Sequence, residues 1–248
     1  TEDEVGQSSL IQKPEEGVVY PDTIVNELGF DGIVIYHHNR KSIWGYSMDL
    51  QGLGEYKDKF VDPLKDRIFG YLVWGDGIKK GEGGVLSGNG LRKYTVYMLC
   101  KTMHPASSDE WLSSVVSMKN EVVSLTRSSY ELHKKWWEEF WKRSWIIVEG
   151  DEDDNWVSQM YTLQRWITAC GSRGDFPVKF NGSIFTVEWR ENGKVMSDPD
   201  YRRWGGGYWW QNTRLPYWPL LSSGDFDLMA PLWKLYMGVI DISKVRNQ

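Results

Sequence analysis

Around Pro105 the hydrophobic period of this chain changes from two to about 3.6, and that switch restricts the folds open to it. Before it stand short β-branched and aromatic runs, GVVY, DGIVIYHHN, SIWGYSMDL and RIFGYLVWG, separated by Gly, Asp, Asn and Pro. Runs of this kind predict strands of an antiparallel sheet. Asn39-Arg40-Lys41, between Ile35 and Ile43, reads as a hairpin turn. Residues 91–101 read as a further strand with Tyr94, Val96, Met98 and Cys100 on one face. After the switch, Ser107 with Glu110 and Ser128 with Glu131 give two capping-box signatures, which predict two helices joined by a short break. The first carries Trp111, Val115, Met118 and Val122 at helical spacing. The second carries Trp137 and Trp141, widened by Trp136, Phe140 and Arg143, a stripe whose spacing predicts packing. A third helix runs to about Cys170 with Trp156, Met160, Leu163 and Ile167 inward, stopped by Gly171. A last one covers 225–236 with Phe226, Met229, Trp233 and Tyr236 at helical intervals.

Strands first and helices afterwards predict an α+β chain. The expected divisions are 1–104 as part of an antiparallel β-sandwich, entered through a polar tail, 105–148 as a helical linker, and 149–248 as a partial helical domain. The strands are few for a complete sandwich. The later helices share an inward aromatic side without a closing set of partners, which predicts the opening part of a helical toroid. Such a chain is expected to pair with a second copy or a second chain, since it would otherwise expose a large apolar surface.

Charge and composition exclude several functions. The net charge is −5 with a pI near 5.5, so a nucleic-acid binder with its basic face is not expected, and a neutral ligand suits the balance better than a polyanion. Cys100 and Cys170 form no CxxC pair, and no apolar run is long enough for a membrane span. His37 and His38 are adjacent in a strand and point to opposite faces. The run 81–90 is Gly-rich but lacks the Gly-Lys-Ser/Thr ending of a phosphate loop, and reads as a turn between strands. In the acidic run 149–154, Trp156 stands where a calcium loop needs Gly, so those carboxylates read as a negative helix start. No metal and no cofactor are expected.

All fifteen tryptophans except Trp44, Trp74 and Trp111 lie at or after Trp136, and four of them stand in PDYRRWGGGYWWQNTRLPYWPLLSSGDFDLM at 199–229. An ordinary core favours Leu, Ile and Val, because a buried indole or phenol needs a partner for its polar tip. Aromatic faces set among amides, guanidiniums and carboxylates suit a sugar, whose C–H face stacks on a ring while its hydroxyls need planar donors and acceptors. The other reading of the stretch is an aromatic helix-packing seam. The WWQNTRLPYWPLL half reads as helical, with Pro216 and Pro219 forcing a kink or an early end. The loop before it carries Arg173, Asp175, Lys179 and Asn181, and loops holding such residues between buried helices are where function concentrates.

Together with IVIYHHNRKSIWGYSMDLQGL, DPLKDRIFG, HKKWWEEFWKRSW and LQRWITACGSRGDFPVKFNGSIFTV, this stretch resembles a bacterial domain-of-unknown-function group of the six-hairpin glycosidase superfamily over roughly residues 31–240. That group is similar to the α-L-fucosidase family that joins a β-sandwich to an (α/α)6 barrel. In those enzymes a Thr-Asn-Ile-Asn-Thr-Glu-Met-Asn-Tyr-Trp-like motif supplies amides that position the attacking water. By resemblance, Asn212 positions water here with Gln211 as a second amide, and Tyr217-Trp218 match the end of the motif. Arg214 stands where the family has Glu, so the family's substrate is not carried over. The implied walls of a carbohydrate cleft are Trp204, Trp209, Trp210, Arg214, Tyr217, Arg173, Asp175, Lys179 and Asn181. The resemblance implies an inverting glycoside hydrolase of extracellular or periplasmic location, acting on a complex glycan. This chain would be a fragment or subunit of it, with the general acid further along. The alternative is a non-catalytic carbohydrate-binding or assembly protein. Asp175, Asp200, Asp225 and Asp227 are the carboxylates at hand, and no spacing picks out a catalytic pair.

Overall fold

The computed structural model describes residues 19–25, 27–150, 152–178, 189–197 and 208–247. The chain divides into two compact units, Thr1–Thr126 and Arg127–Gln248, so the expected linker segment 105–148 is shared between them. It is a mixed α+β chain, a small antiparallel sheet followed by several helices.

The first unit is built on a four-stranded antiparallel sheet in the order β1 (Thr23–Val25), β2 (Ile33–His38), β3 (Ile68–Gly75), β6 (Val96–Met103). A short ribbon of β4 (Lys79–Lys80) and β5 (Leu86–Ser87) interrupts the Gly-rich run. Strand alternation sends Val34, Tyr36, Ile68, Leu72, Trp74 and Leu99 to one face, where they form a buried core with Trp111 and Val115. Fully burying each large apolar side chain contributes about 1.5–3 kcal/mol. Trp111 also satisfies its indole N–H on the Lys101 carbonyl at 3.2 Å. The opposite face is apolar and uncovered among the described residues, with Ile24, Phe69, Val96 and Met98 exposed. Gly70 faces Tyr36 across β2 and β3, and a Cβ there would lie 2.2 Å from the Ile35 carbonyl oxygen. Only glycine fits that approach.

His37 and His38 point apart as expected, His37 to Asp22 at 2.9 Å and His38 to Asp66 at 3.3 Å. The strand and hairpin expected at 39–50 are not formed. Trp44–Leu50 is a helix, α1, whose start is set by the Trp44 backbone N–H on the Ser42 hydroxyl at 3.0 Å. Met48 is its only buried residue, a one-sided pattern that a helical turn satisfies and a strand does not. GVVY also contributes no described strand; β1 lies just after it.

The two expected helices over 107–145 are one helix, α2 (Ser108–Lys142). Its start is the predicted capping box: the Ser107 backbone N–H donates to Glu110 at 2.8 Å, and the Glu110 N–H donates to the Ser107 hydroxyl at 3.3 Å. Ser128 and Glu131 lie in the helix interior, exposed, because no Gly or Pro interrupts the pattern there.

In the second unit, the last turns of α2 are followed by α3 (Glu152–Gly171) and a ribbon of β7 (Trp189–Glu191) and β8 (Lys194–Ser197). That ribbon turns at Asn192-Gly193, both with positive φ, a short hairpin signal that the sequence reading passed over. Then come α4 (Trp210–Thr213), α5 (Trp218–Ser223), a 3-10 turn at Phe226–Met229, α6 (Ala230–Gly238) and α7 (Ile240–Arg246). The core gathers Phe140, Ala169, Val178, Tyr217, Leu220, Leu228, Met229 and Leu232, with Trp136, Trp137 and Trp141 packed against it. The α2 stripe therefore packs, as its spacing predicts.

Two inward faces differ from expectation. On α3 the buried residues are Arg165, Thr168 and Ala169, while Trp156 and Leu163 are exposed, because a buried carboxylate draws Arg165 inward. In the last segment Met229 is buried but Phe226 and Trp233 are exposed, since a 3-10 turn precedes α6 and breaks the single helical phase. Among the described residues there is no second sheet stacked on the first and no closed ring of helices. No described helix is long and apolar enough to cross a membrane.

Candidate functional site

The described half of the aromatic motif begins with Trp209 in extended conformation, followed by α4. The Arg214 backbone N–H donates to the Trp210 carbonyl at 3.1 Å, and the Trp218 N–H to the Arg214 carbonyl at 3.0 Å. These two successive helical steps align Trp210, Arg214 and Trp218 along one side. Pro219 enters α5 in its first turn, where the missing N–H costs nothing. Gly224 closes α5 in the left-handed region at φ 74°, and the Asp225 N–H then returns to the Leu220 carbonyl at 2.9 Å.

This winding divides the motif into an inner and an outer side. Thr213, Tyr217 and Leu220 point inward. Tyr217 was expected on the cleft wall; it is 1% exposed, and its hydroxyl accepts the Val178 backbone N–H at 2.8 Å. Burial pushes its phenol up from the usual value. Its ring is occupied with packing: the tighter bonds of the Leu215 N–H to the Asn212 carbonyl and the Tyr217 N–H to the Arg214 carbonyl break the winding between α4 and α5, and Tyr217 lies on the core side of that break. On the outer side, Trp209 is 67%, Trp210 48% and Trp218 52% exposed. Trp210 meets Tyr236 edge-on at 5.3 Å, and the Arg214 guanidinium lies 4.8 Å over the Trp218 ring. Asn212 is partly exposed between them in sequence, and Gln211 is exposed.

The other predicted residues are distributed more widely. Arg173 is exposed, with its guanidinium 4.2 Å over Trp136 of α2. Asp175 is ion-paired with Lys234 of α6. Lys179, Asn181 and Trp204, like Asp200, lie outside the described residues.

The strongest polar constellation in the unit is one that the sequence reading did not assemble. Asp225 is wholly buried, and Arg165, 1% exposed, donates to it through Nε at 3.1 Å and Nη2 at 2.9 Å. Arg143 reaches the same carboxylate at 3.3 Å, and the Ser223 hydroxyl donates to it as well. The remaining donors of Arg165 go to the Ser144 and Phe140 carbonyls, and its cationic face lies 4.3 Å over the Phe140 ring. Asp227 pairs with Arg143, which holds the Arg143 proton still more firmly. A carboxylate so fully engaged by cations and hydrogen bonds is a brace for the core. The signal in the sequence was an arginine in the middle of the apolar run LQRWITAC.

Among the described residues no group of three His, Cys, Asp or Glu side chains is arranged to hold a metal, and Cys100 and Cys170 are free. The sequence profile of a family described as a domain of unknown function (DUF5703) matches residues 1–146, more than half of the chain. No curated protein matches the chain. No solved structure matches it either.

Proposed function

The chain belongs to the DUF5703 family, and we propose that it forms part of a six-hairpin, inverting glycoside hydrolase that acts on a complex glycan outside the cytoplasm. The observation that carries this reading is the outer side of the motif. Trp209, Trp210 and Trp218 keep about half or more of their surface exposed although a core lies directly beneath them, and the partly exposed Asn212 stands between Trp210 and Trp218 in sequence. Exposed indoles beside amide and guanidinium groups match the two demands of a sugar, a stacking face and planar hydrogen bonding.

In this role Trp210 and Trp218 stack on sugar rings, and Asn212, with Gln211, orients the water that attacks the anomeric carbon. Inversion also needs a carboxylic acid to protonate the leaving oxygen from the opposite face. Asp175, Asp225 and Asp227 are all engaged in ion pairs. The acid is therefore proposed to come from another segment or a second chain that completes an (α/α)6 toroid. The uncovered apolar face of the first-unit sheet supports the companion expectation that this sheet is one layer of a β-sandwich.

The same ion pairs favour a second reading, a non-catalytic carbohydrate-binding or assembly protein that retains the indole platform without acid or base. One pair of measurements separates the two. Asn212→Ala in the active assembly is expected to lower turnover by about 100-fold or more while leaving glycan affinity within about 3-fold. Near-native turnover by that variant removes the water-positioning role, and binding of glycan by an assembly that never turns it over selects the second reading.

A further inference from the structure

Between residues 208 and 229 the charged side chains are Arg214, Asp225 and Asp227. Both carboxylates are matched, Asp225 by Arg165 and Asp227 by Arg143. Arg214 forms no ion pair with a described residue, and its Nε–H is buried without a hydrogen-bond partner there. Buried as it is, that N–H is out of a ligand's reach, and an incoming oxygen would meet the outer nitrogens of this partly exposed side chain. The position of Arg214 is equally specific. It stands one helical step from Trp210 and one from Trp218, its guanidinium is 4.8 Å from the Trp218 ring centroid, and the indoles on either side are half exposed. Held on that ring, the planar fork is already oriented, so less freedom is lost when it binds an oxyanion.

From this we infer that the glycan bound on the motif's outer side is acidic, with Arg214 pairing with the carboxylate of a uronic acid or the sulfate of a sulfated sugar while Trp210 and Trp218 stack on neighbouring rings. The inference rests on the carbohydrate-binding reading of this same side. The net charge of −5 does not oppose it, because a cation without an ion pair among the described residues acts locally, and charges beyond about a Debye length are screened.

The test measures the affinity of the full chain, by calorimetry at low salt, for oligosaccharides that differ only in charge. The probes are a galacturonate tetrasaccharide with its methyl ester, and a sulfated galactan oligomer with its desulfated form. One acidic form is expected to bind about tenfold more tightly than its neutral counterpart, the size of one charge-assisted contact. In Arg214→Gln that preference falls below about twofold while the melting temperature is unchanged, and Arg214→Lys keeps part of it. Trp218→Ala weakens both forms alike. Equal binding of the acidic and neutral forms, or a preference that survives in Arg214→Gln, overturns the inference and leaves the carbohydrate reading standing. Failure of a broad panel of neutral and acidic glycans to bind removes both.

Discussion

Replacing Asp225 by Ala is the most informative perturbation of the second unit, because it leaves the Arg165 guanidinium buried with its main counter-charge gone. Arg165 would retain the Ser144 and Phe140 carbonyls and the rings of Phe140, Trp141 and Tyr161. Breaking a buried ion pair from one side costs about 3–5 kcal/mol. A unit of roughly 120 residues has about 6–18 kcal/mol of stability in all, so the loss is a large fraction of the total. Asp225→Asn keeps the shape and part of the hydrogen bonding, and is expected to lose about half as much. The double variant Asp225→Leu with Arg165→Met removes both charges, and is expected to recover most of the loss because no unpaired ion remains. Urea unfolding followed by tryptophan emission suits the measurement, since all the tryptophans except Trp44, Trp74 and Trp111 lie in this unit. An Asp225→Ala variant within about 1 kcal/mol of wild type at unchanged m-value would refute the brace, as would a double variant no more stable than the single.

Gly70→Ala in the first unit forces a Cβ to within 2.6 Å of the Tyr36 Cα and against the Ile35 carbonyl oxygen, backbone that cannot move aside. A loss of about 3 kcal/mol or more is expected, read as a lower urea midpoint or as failure to accumulate folded protein. Glu110→Gln tests the start of α2. The Ser107 backbone N–H and hydroxyl hold the Glu110 carboxyl below its ordinary value, so its contribution is present above the unfolded value and lost as pH falls through the lower folded one. Wild type is accordingly expected to be more stable than Glu110→Gln at neutral pH and to converge with it in strong acid; curves that remain parallel across the acid range would contradict that.

The order of strands and helices was legible because each element type imposes its own period on the apolar residues, and the Ser107–Glu110 box was legible because both partners lie within one turn. Segment 44–50 was misread because aromatic residues suit either state and a single buried residue, Met48, decided the outcome. The inward face of α3 was hidden for a different reason. Hydrophobicity placed Trp156 and Leu163 inside, whereas the fold buries Arg165 against Asp225, sixty residues further on. Such a pair becomes predictable only once it is known which helices meet. At the candidate site, composition singled out the right stretch but could not separate its sides. The break between α4 and α5 put Tyr217 in the core and left the indoles outside.

If the outer indoles form a sugar platform, glycan binding by the chain has to depend on them. In a screen of neutral and acidic oligosaccharides, at least one ligand is expected to shift the tryptophan emission. Its affinity should fall by about tenfold or more in Trp218→Ala and in Trp210→Ala, with both variants remaining folded. A ligand bound equally well by both variants, or a screen without any binding, would rule out a sugar platform and leave the motif as a packing seam.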